Sequence, residues 1–350
     1  GNRMKSFLER LTANRFMGVL VGALITAAVQ SSSATTVMVV GFVNSGIMQL
    51  KSAVAIIMGA NIGTTATGWV LTLAGVEGEG GFSSATVFAF IAFVGIILYF
   101  FCRKQGHKNV GLILLAFSVL MSGMQGMSSA MSPLKKSEAF IQFISAASNP
   151  AVSLLIGLGV TAAIQSSSAS IGILQALSAT GAISYEVAVP MVVGISIGAC
   201  VPVLLSAVGA NTNGKRAAFI YPYFNILGAL LLIPFYLLNH VLNLEFLSLP
   251  ATAFGIAVIN TAFNVAAAVV EFPMMDRLEK LLRATVKDTE KDTEDEELEE
   301  NLLDERFLAY PPLALEQSGR TVERMTAAAV KNLNRSIELF TRFSQEKYDK

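Results

Sequence analysis

The stretch TAAVQSSSA at Thr26–Ala34 returns as TAAIQSSSA at Thr161–Ala169, and the two copies differ only by valine against isoleucine. Each copy lies inside a long stretch without a charged residue. An unsatisfied polar group costs several kcal/mol in lipid, so a glutamine and three serines there mark a buried site or a water-filled cavity. A duplicated polar motif at membrane depth is typical of a transporter built from repeats.

Composition places the chain in a membrane. It is 53% hydrophobic and 14% charged, whereas soluble domains carry about 25% charged residues. Its apolar runs are about 20 to 30 residues long, which is enough to cross a bilayer. We therefore predict an all-α polytopic membrane protein with the lipid bilayer as a partner. The formal net charge is zero and gives no reason to expect nucleic acid as a partner.

The repeat extends beyond the motif. A shift of 135 residues aligns Asn14, Leu20, Gly22, Gly46, Gly59, Ile62 and Gly63 with Asn149, Leu155, Gly157, Gly181, Gly194, Ile197 and Gly198. One duplication of this length indicates the two halves of a transporter. We predict a first repeat at 1–135, a second repeat with the last membrane helix at 136–273, and a charged cytoplasmic helical tail at 274–350.

The basic residues predict that the two repeats are inverted. Loop 103–108 is basic and loop 77–81 is acidic, whereas their equivalents in the second half are a basic pair at 215–216 and a loop at 239–240 without Lys or Arg. Basic loops favour the cytoplasm, so the halves are expected to cross in opposite directions. The basic pair 135–136 falls on the outer face and violates the rule.

The same rule predicts the path of the segments that carry the motifs. The N-terminal basic residues and Lys51 place both ends of the apolar block 16–48 in the cytoplasm. Two full crossings need about 40 residues, more than the block contains. We therefore predict a re-entrant hairpin that turns near mid-membrane at Gln30–Ser33, and a second hairpin over 151–184 that enters from outside. The two tips would form one near-symmetric polar site.

A second polar pattern follows each motif. GANIGTT at 59–65 is echoed by GISIGAC at 194–200. A polar residue between two glycines inside a membrane segment indicates a locally unwound helix, although packing between helices is an equal alternative for the glycines. Unwinding would expose oxygen ligands for a cation on Asn61, Thr64, Thr65 and Ser196.

Charge compensation favours sodium in this scheme. We take the membrane blocks to hold no ionisable side chain, and a proton-coupled carrier is expected to show a relay of Asp, Glu or His. Helix ends supply about half a charge each, too little for a divalent anion, so co-bound cations are expected. Asn225 and Asn264, polar points in apolar helices, are weaker site candidates.

The motifs TAAVQSSSATT, GANIGTT and TAAIQSSSAS resemble the sodium-dependent inorganic phosphate cotransporters of the type II family, in its bacterial branch. The resemblance implies sodium-coupled phosphate uptake by alternating access in the bacterial inner membrane. It places the phosphate contacts on Gln30, Ser31, Ser32, Ser33, Gln165, Ser166, Ser167 and Ser168. It places the sodium sites near Thr35, Asn61, Thr64 and Thr65.

The tail is similar to the start of the PhoU-like domain that follows the transporter in many bacterial members, on the stretch LDERFLAYPPLALEQ. The acidic run 288–300 is typical of a solvated linker, and the amphipathic stretch 313–347 predicts two helices. A cytoplasmic regulatory partner would bind here. Bacterial members usually have one more membrane helix ahead of the first hairpin, which places that helix before Gly1.

Two alternatives stay open at this point. One is a phosphate sensor whose tail reports binding to a partner, and the other is a sodium-coupled carrier of another oxyanion such as arsenate or sulfate. The sequence contains no nucleophile–base pair and no cluster of metal-ligating residues, so we expect neither an enzyme, a cofactor nor a transition metal. Co-transported sodium is the metal ion that we expect.

Overall fold

A computed structural model describes residues 14–73, 84–133, 137–242 and 245–287, with isolated residues between 319 and 337. The chain divides into two compact units, Gly1–Val286 and Lys287–Lys350. The predictions for residues 1–13, the loop 77–81, the pair 135–136 and the acidic run 288–300 lie outside the described residues, and so does most of the stretch 313–347.

Helices make up the described part of the first unit. In the first half they are α1 (Arg15–Val29), α2 (Ser32–Asn44), α3 (Leu50–Thr72), α4 (Ser84–Phe101) and α5 (Gln105–Met131). In the second half they are α6 (Glu138–Ala147), α7 (Pro150–Ile164), α8 (Ser167–Ser178), α9 (Tyr185–Gly198), α10 (Val201–Ser206), α11 (Thr212–Ala229), α12 (Leu232–Leu242), α13 (Ala253–Glu271) and α14 (Met275–Thr285).

Five segments of these helices are long and apolar enough to cross a membrane, and a sixth is added if α6 and α7, which meet at a sharp bend, are one span. The five are Leu50–Thr72, Gln105–Met131, Tyr185–Ser206, Thr212–Asn239 and Ala253–Thr285. The all-α polytopic fold is therefore confirmed for the described residues. The inverted arrangement of the two repeats stays a prediction.

The helices that carry the motifs are short. α1 has 15 residues and α2 has 13, so each extends about 20 Å, less than the hydrocarbon thickness of about 30 Å. The breaks between helices fall at Gln30–Ser31 and at Gln165–Ser166, inside the motifs, as expected for predicted turns. Whether each pair enters and leaves on one side stays a prediction.

The glycine pairs pack helices together instead of unwinding them. α3 is continuous through 59–65, so the predicted unwinding there is wrong. A Cβ on Gly59 would lie 1.9 Å from the carbonyl oxygen of Val19 in α1. In the second half, a Cβ on Gly194 would lie 2.0 Å from the carbonyl oxygen of Leu154 in α7. The missing side chains let backbones touch, which is the usual role of small residues between membrane helices.

The second half does contain a break, but after its glycine pair. α9 ends at Gly198, and α10 begins at Val201 with Pro202 in its first turn. Thr67 is the residue that corresponds to Pro202 in the first half, and there α3 continues without interruption. Proline lacks an amide hydrogen and is tolerated in the first turn of a helix, which explains a new helix at this point.

One carboxyl group contradicts the prediction that the membrane blocks are free of ionisable side chains. Glu271 is the last residue of α13, lies within the predicted apolar block 248–273 and is only 4% exposed. The argument against proton coupling that rested on the absence of such a group is therefore wrong. The preference for sodium must come from other observations.

Charged side chains contact each other at the end of the protein where α1 and α3 begin. Arg15 at the start of α1 donates to Asp276 of α14 at 2.6 Å, and the Lys51 ammonium lies 3.7 Å from the same carboxylate. The predicted helical tail begins with α14, which follows a 3-10 turn at Phe272–Met274.

A pair of glycines in α7 tests the role of backbone contact. A Cβ on Gly157 would lie 2.2 Å from the carbonyl oxygen of Met191, whereas a Cβ on Gly159 would meet nothing within 4 Å. We expect Gly157→Ala to destabilise the protein by about 1 to 3 kcal/mol, because α7 and α9 must separate. Gly159→Ala should leave stability unchanged or raise it slightly.

Thermal unfolding of the purified protein in detergent measures both variants. Equal melting temperatures for Gly157→Ala and Gly159→Ala would show that close backbone contact does not hold α7 in place.

Candidate functional site

The two motifs adopt the same backbone conformation. Gln30 and Gln165 both have φ 59° and ψ 25°, in the left-handed region that residues other than glycine rarely occupy. In each copy the backbone amide of the glutamine donates a hydrogen bond to the carbonyl oxygen of the threonine four residues earlier, at 2.7 Å. Such a conformation costs of order 1 to 3 kcal/mol, so the surrounding structure holds the same strained turn twice.

A serine caps the helix that follows each turn. The hydroxyl of Ser31 accepts the amide hydrogen of Ala34 at 3.2 Å, and Ser166 accepts that of Ala169 at 3.3 Å. The first amide groups of a helix have no acceptor within it, and one cap satisfies only one of them. The N-terminal ends of α2 and α8 therefore retain amide donors and a partial positive charge, which suit an anion.

Thr67 of α3 joins the two motifs. Its hydroxyl donates to the side-chain oxygen of Gln30 at 2.7 Å and lies 3.4 Å from the hydroxyl of Ser168, which donates to it. One side chain therefore contacts the first and the second copy of QSSS. A further link holds the first copy, because the hydroxyl of Ser32 lies 2.9 Å from that of Tyr221 in α11.

A small polar cavity lies beside these contacts. It is lined by Asn61, Thr64, Thr67, Gly68, Ser167, Ser168, Ile171, Ile195, Ser196, Ala199, Tyr221, Asn260 and Asn264. The volume of the cavity is about 10 Å³, close to the minimum that holds one water. Hydroxyl and amide groups supply its polar surface, and none of the described residues that line it carries a formal charge.

The structure brings many of the predicted site residues to this cavity. Those that line it are Asn61, Thr64, Ser167, Ser168, Ser196 and Asn264. Gln30 and Ser32 adjoin it through their hydrogen bonds to Thr67 and Tyr221.

Other predicted residues lie outside the lining. They are Ser31, Ser33, Thr35, Thr65, Gln165, Ser166 and Asn225. The hydroxyl of Thr35 donates to the carbonyl of Ser31 at 3.0 Å, and that of Thr65 donates to a carbonyl in its own helix at 2.8 Å. Gln165 is exposed, and the amide of Asn225 donates to the carbonyl of Tyr221 at 2.9 Å.

Thr67 and Tyr221 were not predicted. Thr67 follows Thr64 by three residues and Asn61 by six, so the polar stripe along α3 is a signal that helical spacing could have revealed. Tyr221 gives no such signal, because its contact with Ser32 joins residues far apart in the sequence.

A sodium ion bound at this cavity would be held by uncharged oxygen atoms. Within the ranges that the structure describes, no three His, Cys, Asp or Glu side chains come together as a metal site. Asn260 and Asn264 bring amide groups to the cavity, with the Asn264 amide nitrogen donating to the Asn260 side-chain oxygen at 3.1 Å. Hydroxyl and amide oxygens of this kind are ligands that hard cations accept.

The chain matches the family described as Na⁺/Pi-cotransporter over residues 1–129 and again over 130–275. The chain belongs to the Na⁺/Pi-cotransporter family. The resemblance found in the sequence is thereby confirmed, and the apolar helices are those of a multi-pass membrane transporter family.

Relatives with curated names extend the comparison. YqeW of Bacillus subtilis is 28% identical over 81% of this chain and 89% of its own length. YjbB of Escherichia coli, provisionally named an inorganic phosphate export protein, is 28% identical over 93% of this chain, which spans 58% of its length. Sodium-dependent phosphate transport protein 2B of Homo sapiens is 37% identical over 25% of this chain and 13% of its own length. No solved structure matches the present chain.

The contact between Ser32 and Tyr221 can be tested by a double-mutant cycle. We expect Ser32→Ala and Tyr221→Phe to couple by on the order of 1 kcal/mol, because either change leaves a buried hydroxyl without its partner. Tyr223→Phe is the matched control on α11, since the Tyr223 hydroxyl donates to the exposed Thr285 at 2.8 Å.

Melting temperatures of the single and double variants give the coupling. Additive effects of Ser32→Ala and Tyr221→Phe would contradict the contact, and so would equal coupling with Tyr223→Phe.

Proposed function

We propose that the chain is a secondary active transporter that moves inorganic phosphate together with sodium, by alternating access around a site built from both QSSS motifs. The observation that carries the proposal is the position of Thr67, whose hydroxyl contacts Gln30 of the first copy and Ser168 of the second. Membership of the cotransporter family supports the two substrates.

Phosphate recognition would use the ends of two helices. The free amide groups at the start of α2 and α8, with the hydroxyls of Ser32, Ser33, Ser167 and Ser168, provide donors to an anion from two sides. Gln30 and Gln165 would contribute their amides, and Ser31 and Ser166 would keep the helix ends in place. Two helix ends supply about one positive charge in total, less than a divalent anion needs.

Sodium would supply the missing positive charge. The described residues that line the cavity are uncharged, so none of them supplies a Lys or Arg for neutralisation. Asn61, Thr64, Ser196 and Asn264 present oxygens from α3, α9 and α13 at the same cavity. Thr35 and Thr65 remain candidate ligands, although they lie outside the lining of the cavity. Their hydroxyls donate to backbone carbonyls, as those of Thr64 and Ser196 do.

The size of the cavity supports alternating access. Room for about one water cannot accept phosphate, so we propose that the helices around the cavity separate during binding. We propose that the repeats 1–135 and 136–273 are inverted, carry re-entrant hairpins and rock against each other. The charged tail 274–350 would lie on the cytoplasmic side of a bacterial inner membrane.

Two serines of α8 provide a matched test. We expect Ser167→Ala to lower phosphate flux at least about tenfold, because a hydrogen bond to a charged group is lost. Ser178→Ala should transport like the wild type, since the Ser178 hydroxyl only donates to a carbonyl of its own helix at 2.7 Å.

Labelled phosphate flux into liposomes under an inward sodium gradient measures this. Wild-type flux by a folded Ser167→Ala variant would argue against the assigned site.

Replacement of sodium tests the coupling itself. We expect flux to stop when choline or potassium replaces sodium, because the proposed site binds sodium to compensate the charge of phosphate. Reversing the sodium gradient should reverse the flux, which would reconcile uptake here with a relative named for export. Flux that persists without sodium and follows a proton gradient would refute sodium coupling.

Competition decides the substrate class in the same assay. Unlabelled arsenate or sulfate that inhibits more strongly than phosphate would identify another oxyanion. A variant that lacks residues 285–350 should still accumulate phosphate, whereas a sensor that depends on its tail would lose its output.

A further inference from the structure

Glu271 has an environment that a charged carboxylate does not tolerate. It is only 4% exposed, and neither carboxyl oxygen has a hydrogen-bond partner among the described residues. Its neighbours one turn away on α13 and α14 are Ala267, Ala268 and Met275, all buried and apolar. An isolated charge in such surroundings is unfavourable.

The position of Glu271 relates it to the cavity. α3 and α13 run antiparallel, because Gly68 lies beside Ala257 at one end and Lys51 lies 3.7 Å from Asp276 at the other. Glu271 is therefore at the end of α13 that lies towards the start of α3. It is two turns from Asn264, which lines the cavity, and this separation is about 10 Å along the helix.

The nearby basic side chains have other partners. Lys51 and Arg15 both contact Asp276, which is on the exposed side of α14. Arg216, at the start of α11, donates to the carbonyl of Val286 at 2.9 Å. The remaining titratable side chains on the helices packed against α13 are Tyr185, Glu186, Lys215, Tyr221 and Tyr223, and Cys200 lies between α9 and α10. The helix α14 adds Asp276, Arg277, Glu279, Lys280 and Arg283. None of them forms a hydrogen bond with Glu271.

We propose that Glu271 is a proton-binding site of the transporter, protonated in this conformation and able to release its proton when the helices around the cavity separate. Directly after Glu271 the α-helix changes to a 3-10 turn that contains Pro273, and movement at this turn would bring water to the carboxyl group. A sodium ion is disfavoured as the ligand, because a hard cation needs several oxygens and the neighbours on the helix are alanine and methionine.

The release of the proton rests on the proposed transport function, whereas the bound proton does not. Infrared spectroscopy of the full chain in liposomes can detect the bound proton without any transport. We expect the wild type to keep a protonated carboxyl band at about pH 7, and Glu271→Gln to lose it, since ordinary carboxyl groups are ionised there. Glu186→Gln, which changes an exposed carboxyl group, should retain the band.

Absence of the band from the wild type at neutral pH would overturn the proposal, and so would its persistence in Glu271→Gln. Glu271→Leu guards against misfolding, because it replaces the buried carboxyl group by an apolar side chain of similar size. It should also lack the band and should melt at the wild-type temperature or above it.

Phosphate flux then tests the release of the proton. Phosphate itself titrates near neutral pH, so the quantity to compare is the ratio of wild-type to Glu271→Gln flux at each pH. We expect this ratio to change several-fold between about pH 6 and about pH 9, because only the wild type can lose a proton from α13. A constant ratio would overturn the link between Glu271 and the transport cycle.

The two measurements separate the two proposals. A wild type without sodium-dependent phosphate flux would refute the proposed function, while the infrared band would still decide whether Glu271 binds a proton. Normal flux without the band would refute the proton site alone.

Discussion

Direct backbone contact between glycine-containing helices is the constraint on which the rest of this structure depends. Gly59 of α3 and Gly194 of α9 each touch a carbonyl oxygen of a neighbouring helix, too closely for any side chain. Those neighbours, α1 and α7, have 15 residues each, too few to cross a membrane. Close packing therefore determines where each motif begins, and it brings the first motif within reach of Thr67.

Much of this arrangement was predictable because it depends on local sequence. The duplicated motif predicted a chain reversal at Gln30 and at Gln165, and the helices do break there. The glycine pairs were ambiguous, since both an unwound segment and a close crossing of helices require the absence of a side chain. Only the position of α1 against α3 distinguishes the two.

What the sequence could not reveal depends on contacts between distant segments. Tyr221 reaches Ser32 only because α2 and α11 lie together. Glu271 is hard to recognise for another reason, since it lies two residues before Pro273 at the end of an apolar block and resembles the start of the charged tail. The site is also less symmetric than its motifs, because Pro202 in the second half replaces the bridging Thr67 of the first.

The left-handed conformation of the two glutamines has a consequence for the evolution of the protein. Glycine would adopt this backbone without strain and would make each turn more stable. A glutamine at both positions therefore supplies an amide side chain but lowers the stability of the turn, as is common for residues that serve activity. Selection for heat resistance alone would be expected to erode both motifs at this position first.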